Sequence, residues 1–276
     1  MRVSNMLIGY SSEEPIELPI ESQVRHLCIV GGGHKAQSEK VVSNILDHQI
    51  LKGYGVLVIQ HKESNIKKEF IKNLRENGRG DDFVEIYGRR HTDLSGELLD
   101  GMGKGKLMYF DASSNSKEST IDFFNSLSDA IEQLRQFESK GKRLFSKPFV
   151  ILGCDIERFK NPVWGEMLVF ARQLNIVFVS YFYNYSHFEE MTNDREQINT
   201  FESIFEITGT KLLFNQENSD QNTKLSKIFG VPKIERGLGL SSFFKPQKTD
   251  KYLLEVLDRN EFLMMNWEGF MVLSIP

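Results

Sequence analysis

The chain has 276 residues, 40% of them apolar and 26% charged, the proportions of a soluble globular protein long enough to bury a large core. Its 34 basic and 38 acidic residues leave a net charge of −4, which excludes a global basic field drawing nucleic acid to the surface and leaves only a local patch open. Cys28 and Cys154 both lie in apolar runs and read as reduced core residues of a cytosolic protein, so a disulfide or cysteine–metal framework is excluded. No apolar stretch approaches the roughly 18 residues that a membrane helix needs. The first residues, a short apolar piece followed by acids, are unlike a signal peptide. The expectation is a cytoplasmic protein that meets a membrane, at its inner face, only through partners.

Taken in chain order, Arg25–Val30 reads as a buried strand ended by Gly31-Gly32-Gly33. Residues 37–52 have helical spacing through Val41, Val42, Ile45, Leu46 and Ile50, and Gly53-Tyr54-Gly55 leads into a second strand at Val56–Ile59. A helix over 63–77 carries Ile66, Phe70, Ile71 and Leu74 on one face, and Phe83–Tyr87 forms a third strand. A Gly-rich bend from Gly101 to Gly105 precedes a short strand at Leu107–Phe110. The longest helix spans 119–140, with Ile121, Phe124, Leu127, Ile131 and Leu134 along one side. Strand Phe149–Leu152, helix 164–173 and strand Ile176–Tyr181 follow. Strand Lys211–Phe214 and a short helix Thr223–Phe229 come next, and Lys251–Val256 and Phe262–Ile275 read as edge strands around a turn at Asn260. The segments 111–119 and 191–200 read as surface loops. Continuous apolar strands alternating with helices predict a parallel sheet covered on both faces. The expected fold is a single α/β domain over 1–276, doubly wound and mostly parallel, with antiparallel C-terminal edge strands.

Strand, glycine loop and helix together are the arrangement that holds phosphate on backbone N–H groups. Here the junction reads Gly31-Gly32-Gly33-His34-Lys35-Ala36-Gln37-Ser38. Against the phosphate-loop pattern G-x-x-x-x-G-K-[S/T], Gly31 and Ser38 match, while Ala36 stands for glycine and Gln37 for lysine. Glutamine cannot supply the lysine's point charge, and Ala36 adds a Cβ where backbone would approach phosphate. A ligand-free turn and a weakened phosphate site both remain open from the motif alone.

The surroundings resemble the motor domain of the TraD/TraG-type coupling ATPases of type IV secretion and conjugation, relatives of FtsK and HerA. Ile16-Glu17-Leu18-Pro19 followed by Arg25–Gly31 resembles that family's "IP" segment and "RHLLIxGxxGxGKS" motif. Gly53–Glu63 resembles "GxGxxxIDPKGD", with Gln60 for Asp, His61 for Pro, and Lys62 kept. Phe170–Ile176 resembles "AQARSLGI", and Thr210–Phe214 with Asp220, Thr223 and Gly230 resembles "NTxTKxxxKxxDxxTxxxxxxxxG". Leu257–Phe262 with Gly269 resembles the closing "LxxGExxxxxxG" hairpin. The resemblance implies a RecA-like P-loop NTPase fold. It also implies that ATP and Mg²⁺ are the ligands if the degenerate loop of Gly31, Gly32, Gly33, Lys35 and Ser38 still binds. Its partners would be protein subunits of a secretion or conjugation machine, among them an active coupling ATPase.

Active members carry acids after the strand written here Val150-Ile151-Leu152, one for Mg²⁺ and one for the attacking water. This chain has Gly153-Cys154 there, with Asp155 and Glu157 one or two positions late, and a one-residue displacement along a strand reverses the face. Asp155 and Glu157 are the surrogate acids if any exist; otherwise they cap the next turn. Tyr183 stands where the family has its sensor glutamine. With lysine, acid pair and sensor all altered, no catalytic residue, resident cofactor or metal is expected, and the chain reads as a pseudo-ATPase. Phe110–Pro148 holds one long helix, too little for the all-α insertion of full coupling proteins, and the family's N-terminal membrane-spanning pair is expected to be absent.

Tyr181, Tyr183 and Tyr185, with Phe182 and Phe188, form an aromatic run that either packs in the core, fills the vacated nucleotide site or docks a partner. Two rival readings stand. One is a divergent ATPase of a DNA or protein translocase, with Lys35 or Lys62 on phosphate and Asp155 at the metal. The other is a DNA-binding module using Arg89-Arg90-His91, disfavoured by the acidic balance. Lys67, Lys68 and Lys72 lie opposite the apolar face of their helix and read as solvated.

Overall fold

Why the apolar runs become strands is visible in a computed structural model, which describes residues 5–11, 14–19, 26–32, 35–61, 65–87, 93–141, 148–154, 163–171, 174–186, 204, 206–233, 251–258, 261–266 and 269–275. Strands β3 (His26–Val30), β4 (Gly55–Gln60), β7 (Phe149–Cys154) and β8 (Ile176–Phe182) are buried at every position. Such strands have no polar face to show water, so they belong inside a sheet covered on both sides. With β5 (Phe83–Ile86), β6 (Leu107–Asp111) and β9 (Thr210–Phe214) they form a parallel array in the order β9-β3-β8-β7-β4-β6-β5.

Beyond β9 the sheet turns antiparallel through β10 (Glu261–Asn266) and β11 (Gly269–Ser274), as expected of the C-terminal strands. The hairpin of β1 (Asn5–Ser11) and β2 (Glu14–Pro19) continues it, so the sheet has 11 strands among the described residues. The Phe262–Ile275 segment is two strands, paired from Glu261 with Ser274 to Asn266 with Gly269; the expected turn residue Asn260 lies outside the described residues, and Glu261 N–H donates to the Asp258 carbonyl across it at 3.0 Å. The expected strand over Lys251–Val256 is instead a 3-10 turn at Leu253–Val256 with one bridge from Tyr252 to Lys233. Glu255 holds that turn in place, accepting from the backbone N–H of Tyr252 and from the hydroxyl of Ser219.

Helices α1 (Lys35–Leu51) and α2 (Asn65–Glu76) cover one face, packing Val41, Val42, Ile45, Ile66, Phe70 and Leu74 against Ile29, Val58 and Val179. Helices α3 (Leu94–Gly103), α4 (Lys117–Ser139), α5 (Val163–Ala171) and α6 (Ser219–Phe229) cover the other, against Val30, Leu57, Ile151 and Leu213. The doubly wound α/β class is therefore the observed one. Much of the phenylalanine content lies on this second face. Phe110 stacks on Phe123 at 3.7 Å between ring centroids, and Phe124, Trp164 and Phe178 continue the series edge to face.

The glycine-rich bend before β6 is in fact the end of α3, which runs through Gly101 to Gly103. Leu94, Leu98 and Met102 recur every four residues and are buried, and Asp93 caps the helix by accepting from Gly96 N–H at 3.0 Å. Gly101 packs close to Met108: a Cβ there would stand 2.6 Å from its sulfur, so that flexible side chain would have to shift. In α4 the buried stripe is Phe123, Phe124, Leu127, Ala130, Ile131 and Leu134, whereas Ile121 is 39% exposed. The segment expected as a surface loop over 111–119 closes sooner, by a 3-10 turn at Ala112–Ser114 and the Ser116 cap of α4. Helix α6 starts four residues before the expected Thr223, capped by Asn218. It ends at Gly230, whose φ of 67° is a left-handed backbone that glycine adopts freely.

At the N-terminal edge of the sheet, Arg79 donates to the carbonyls of Tyr54 (2.8 Å) and Gly105 (3.0 Å), tying the approaches to β4 and β6 together. Its partner Asp82 also accepts from Lys106 at 3.1 Å. The Lys106 hydrogen bond chiefly, opposed by burial and then reinforced by the Arg79 hydrogen bond and the charges of both cations, holds the Asp82 carboxyl below its ordinary range. A folded-state pKa below the unfolded one contributes stability above about pH 4, lost as pH falls through the depressed folded value. Asp82→Asn is therefore expected to lower the melting temperature at neutral pH. The gap to the parent protein narrows as both are acidified from pH 5 toward 2, a trend that thermal unfolding at several pH values reads directly.

Candidate functional site

The C-terminal ends of parallel strands are where open α/β sheets bind ligands, at the place where successive crossovers leave on opposite faces. In this sheet that place is between β3 and β9. The helix after β3, α1, lies on the face of Ile29 and Leu212; the helix after β9, α6, lies on the face of Val30 and Leu213. The glycine loop leaves β3 there, so topology brings Gly31 and Gly32 to the position a ligand site would take.

Both glycines are buried and pressed against protein. A Cβ at Gly31 would stand 2.4 Å from the carbonyl oxygen of Tyr183 and 2.6 Å from the hydroxyl of Ser38. One at Gly32 would stand 2.0 Å from the carbonyl oxygen of Asn215. Gly31 N–H donates to the Phe182 carbonyl at 2.8 Å, so the loop begins as a continuation of the β3–β8 ladder. The close backbone approach that glycine permits is thus made to the tips of β8 and β9.

Ser38, the one hydroxyl retained from the phosphate-loop pattern, is fully buried on α1 and shares a 2.8 Å hydrogen bond with the hydroxyl of Tyr181 on β8. Burial drives the Tyr181 phenol well above its ordinary pKa against the opposing Ser38 bond, and Tyr183, Cys154 and Glu39 add to the rise. None of those three neighbours carries positive charge. Gln37 is half-buried and Ala36 exposed on the first turn of α1.

A second feature escaped the sequence reading. Gln216, 5% exposed, lies just beyond β9. Its side-chain Nε2 donates to the Gly31 carbonyl at 2.8 Å and the Phe214 carbonyl at 2.7 Å, while its Oε1 accepts from Tyr185 N–H at 2.9 Å. Asn222 on α6 accepts from Gln216 N–H at 2.8 Å and donates to Asn215 Oδ1 at 2.8 Å. Asn215 donates in turn to the Leu257 carbonyl at 3.0 Å. The only signal in the sequence is the pair of amides directly after an apolar strand, with a third, Asn222, six residues on.

Tyr181, Tyr183 and Tyr185 are 0%, 4% and 3% exposed, so their rings pack inside the protein and form no open docking face. Tyr181 and Tyr183 meet edge to face at 4.9 Å. At the neighbouring strand tips stand Gln60, which accepts from the Tyr109 hydroxyl at 3.0 Å, and Cys154, which is fully buried. The carboxylate that ends β6, Asp111, is occupied by the N–H and hydroxyl of Ser113 and the hydroxyl of Ser114. Gly33, His34, Lys62, Arg89, Arg90, His91, Asp155 and Glu157 lie outside the described residues, as does the side chain of Lys35. Among the described residues, the one hydroxyl retained from the pattern is engaged by the Tyr181 phenol. Elsewhere, burial pushes the Cys28 thiol up to about 12, against a smaller opposing effect of Lys211, and marks it as an inert core residue.

No protein-family model matches the chain, and no curated protein does. The fold itself has close counterparts among solved structures. VirB4 of Thermoanaerobacter pseudethanolicus superposes with a TM-score of 0.62 at 10% identity, over 99% of this chain and 96% of that one. The cytoplasmic domain of the Thermomonospora curvata type VII secretion ATPase EccC gives 0.57 at 12% identity, over 99% of this chain and 26% of that one. The conjugation coupling protein TcpA of pCW3, solved as a monomer with ATPγS, gives 0.55 at 10%, over 99% of this chain and 66% of that one. The chain therefore spans about a quarter of the EccC chain and two thirds of TcpA. The chain shares the fold of these proteins. At these identities the likeness is one of fold, and among the described residues no helix is long and apolar enough to cross a membrane.

Proposed function

We propose that this chain is a pseudo-ATPase: a single RecA-like domain over 1–276 that serves as a structural or adaptor subunit in a secretion or conjugation machine. The observation that carries the reading is the engagement of the glycine loop by the protein itself. Gly31 and Gly32 abut carbonyl oxygens of β8 and β9, and the Ser38 hydroxyl is bonded to Tyr181. Phosphoryl transfer depends almost wholly on positioning and charge stabilisation, so a loop without its lysine and with its hydroxyl engaged has lost the groups that perform it. The role in a secretion or conjugation system rests on the company the fold keeps, VirB4, EccC and TcpA. Partners would be protein subunits of such a machine, an active coupling ATPase among them, reached in the cytoplasm at the membrane's inner face. The TraD/TraG resemblance favours the coupling complex within that set.

A single helix, α4, lies between β6 and β7 among the described residues. That is consistent with a motor domain lacking the all-α insertion and its substrate contacts. The alternative, a divergent ATPase, draws on the TcpA neighbour solved with ATPγS and requires Lys35 or Lys62 on phosphate and Asp155 at the metal.

Thermal unfolding with and without millimolar Mg-ATP separates the two. A ligand at a hundred times its dissociation constant stabilises by about 2.7 kcal/mol. For a domain of this size that raises the midpoint by roughly 5–10 °C. The expected result is no shift and no phosphate release. A shift of that order, abolished by Lys35→Ala, would replace the adaptor reading with the enzymatic one.

A further inference from the structure

We infer that Gln216 is the internal occupant of the ligand crevice at the β3–β9 switch point, a positioning residue whose amide does for the glycine loop what a bound anion does in a working site. Its functional meaning rests on the pseudo-ATPase reading. Three strand tips meet at this one side chain. The two N–H groups of the amide reach the carbonyls that end β3 and β9, and its oxygen takes the N–H of Tyr185 just past β8. A buried amide satisfied at both ends is favourable only where all its partners are held in place, because each lost partner leaves a desolvated polar group.

The orientation of the carbonyls is the telling point. A phosphate site turns backbone N–H groups toward the crevice to meet an anion. Here the Gly31 and Phe214 carbonyls face the crevice and are met by a donor. A phosphate in the same place would confront two carbonyl oxygens. Asn222 and Asn215 extend the hold to α6 and to the Leu257 carbonyl, so the loop is braced by the chain that follows β9. The start of the loop at Gly31 is thereby held by the chain's own groups.

Two substitutions of similar size separate this role from general packing. Gln216→Glu keeps an acceptor for Tyr185 N–H but loses both donors. Gln216→Met loses the donors and the acceptor. In the full chain, amide hydrogen exchange at Gly31, whose N–H is bonded to the Phe182 carbonyl, reads the loosening of the loop once its carbonyl loses the amide, and is expected to quicken by about tenfold in both variants. At Tyr185 it should quicken only in the methionine variant, while β4, β6 and β7 keep their protection. Exchange that rises uniformly over the sheet, or stays unchanged at Gly31 and Tyr185, would overturn the proposal. Adding Mg-ATP to the parent protein in the same experiment tests the underlying reading separately. Protection gained at Gly31 on nucleotide would refute the pseudo-ATPase reading, while the split between the two variants would still report on Gln216.

Discussion

Gly32→Ala is expected to destabilise the protein by about 3 kcal/mol, the upper part of the range for forcing atoms into a packed site. For a chain this long that lowers the melting temperature by roughly 6–12 °C. The added methyl would lie 2.0 Å from the Asn215 carbonyl oxygen, and the Phe214 side chain is 3.1 Å away. Backbone cannot swing aside as a flexible side chain can, so either the β9 tip or the loop must move. Moving the β9 tip strains the Asn215 bond to Leu257 and, through its neighbour Gln216, the bonds to Gly31 and Tyr185. The experiment also discriminates between functions. A glycine kept for a phosphate would lose binding on substitution and leave the apo protein near its original stability. Here the loss falls on stability itself, in the absence of any nucleotide. A variant melting within a degree or two of the parent would show that the loop has room, and the engaged-loop argument would fall with it.

The two halves of that argument were not equally legible in the sequence. The parallel sheet was readable because β3, β4, β7 and β8 are buried on both faces and so appear as unbroken apolar runs. Helix α3 is hidden in the sequence because three glycines in five residues outweigh the quieter repeat of Leu94, Leu98 and Met102, whose burial holds the helix. Thr223 marked the start of α6 because its first turn is polar throughout; the asparagine cap at 218 is the stronger signal. The place of the glycine loop is legible, since strand, glycines and helix are consecutive; the groups that meet Gly31 and Ser38 are not. Ser38 meets Tyr181 across 143 residues of chain, and Gly31 meets Gln216 across 185. No local periodicity carries such pairings, and only the strand order, with β8 and β9 flanking β3, brings them together.

The same strand order sets the second large effect, at the opposite end of β3. His26 opens that strand, fully buried, and its two ring nitrogens are both engaged. Nδ1 accepts from Phe178 N–H at 3.1 Å, so Nε2 carries the proton and donates to the Leu168 carbonyl at 2.9 Å. One ring thus joins β8 to α5, and it meets Phe178 edge to face at 5.7 Å, at the end of the aromatic series from Phe110. His26→Ala removes both bonds, leaves a buried amide and a buried carbonyl without this partner, and opens a cavity between helix and sheet. The expected loss is about 3–5 kcal/mol, since each orphaned buried group costs about 1–3 kcal/mol and the cavity adds to it. His26→Asn is the informative companion. Its amide oxygen can stand near the Nδ1 position and accept from Phe178 N–H, but it is too short to reach Leu168. Chemical denaturation should therefore rank the proteins parent, asparagine, alanine, with the asparagine variant recovering a measurable part of the loss. Equal losses in the two variants would mean that ring volume, not the bond to β8, is what His26 supplies. A loss below about 1 kcal/mol in both would mean that neither bond is needed, against the expectation for buried polar groups.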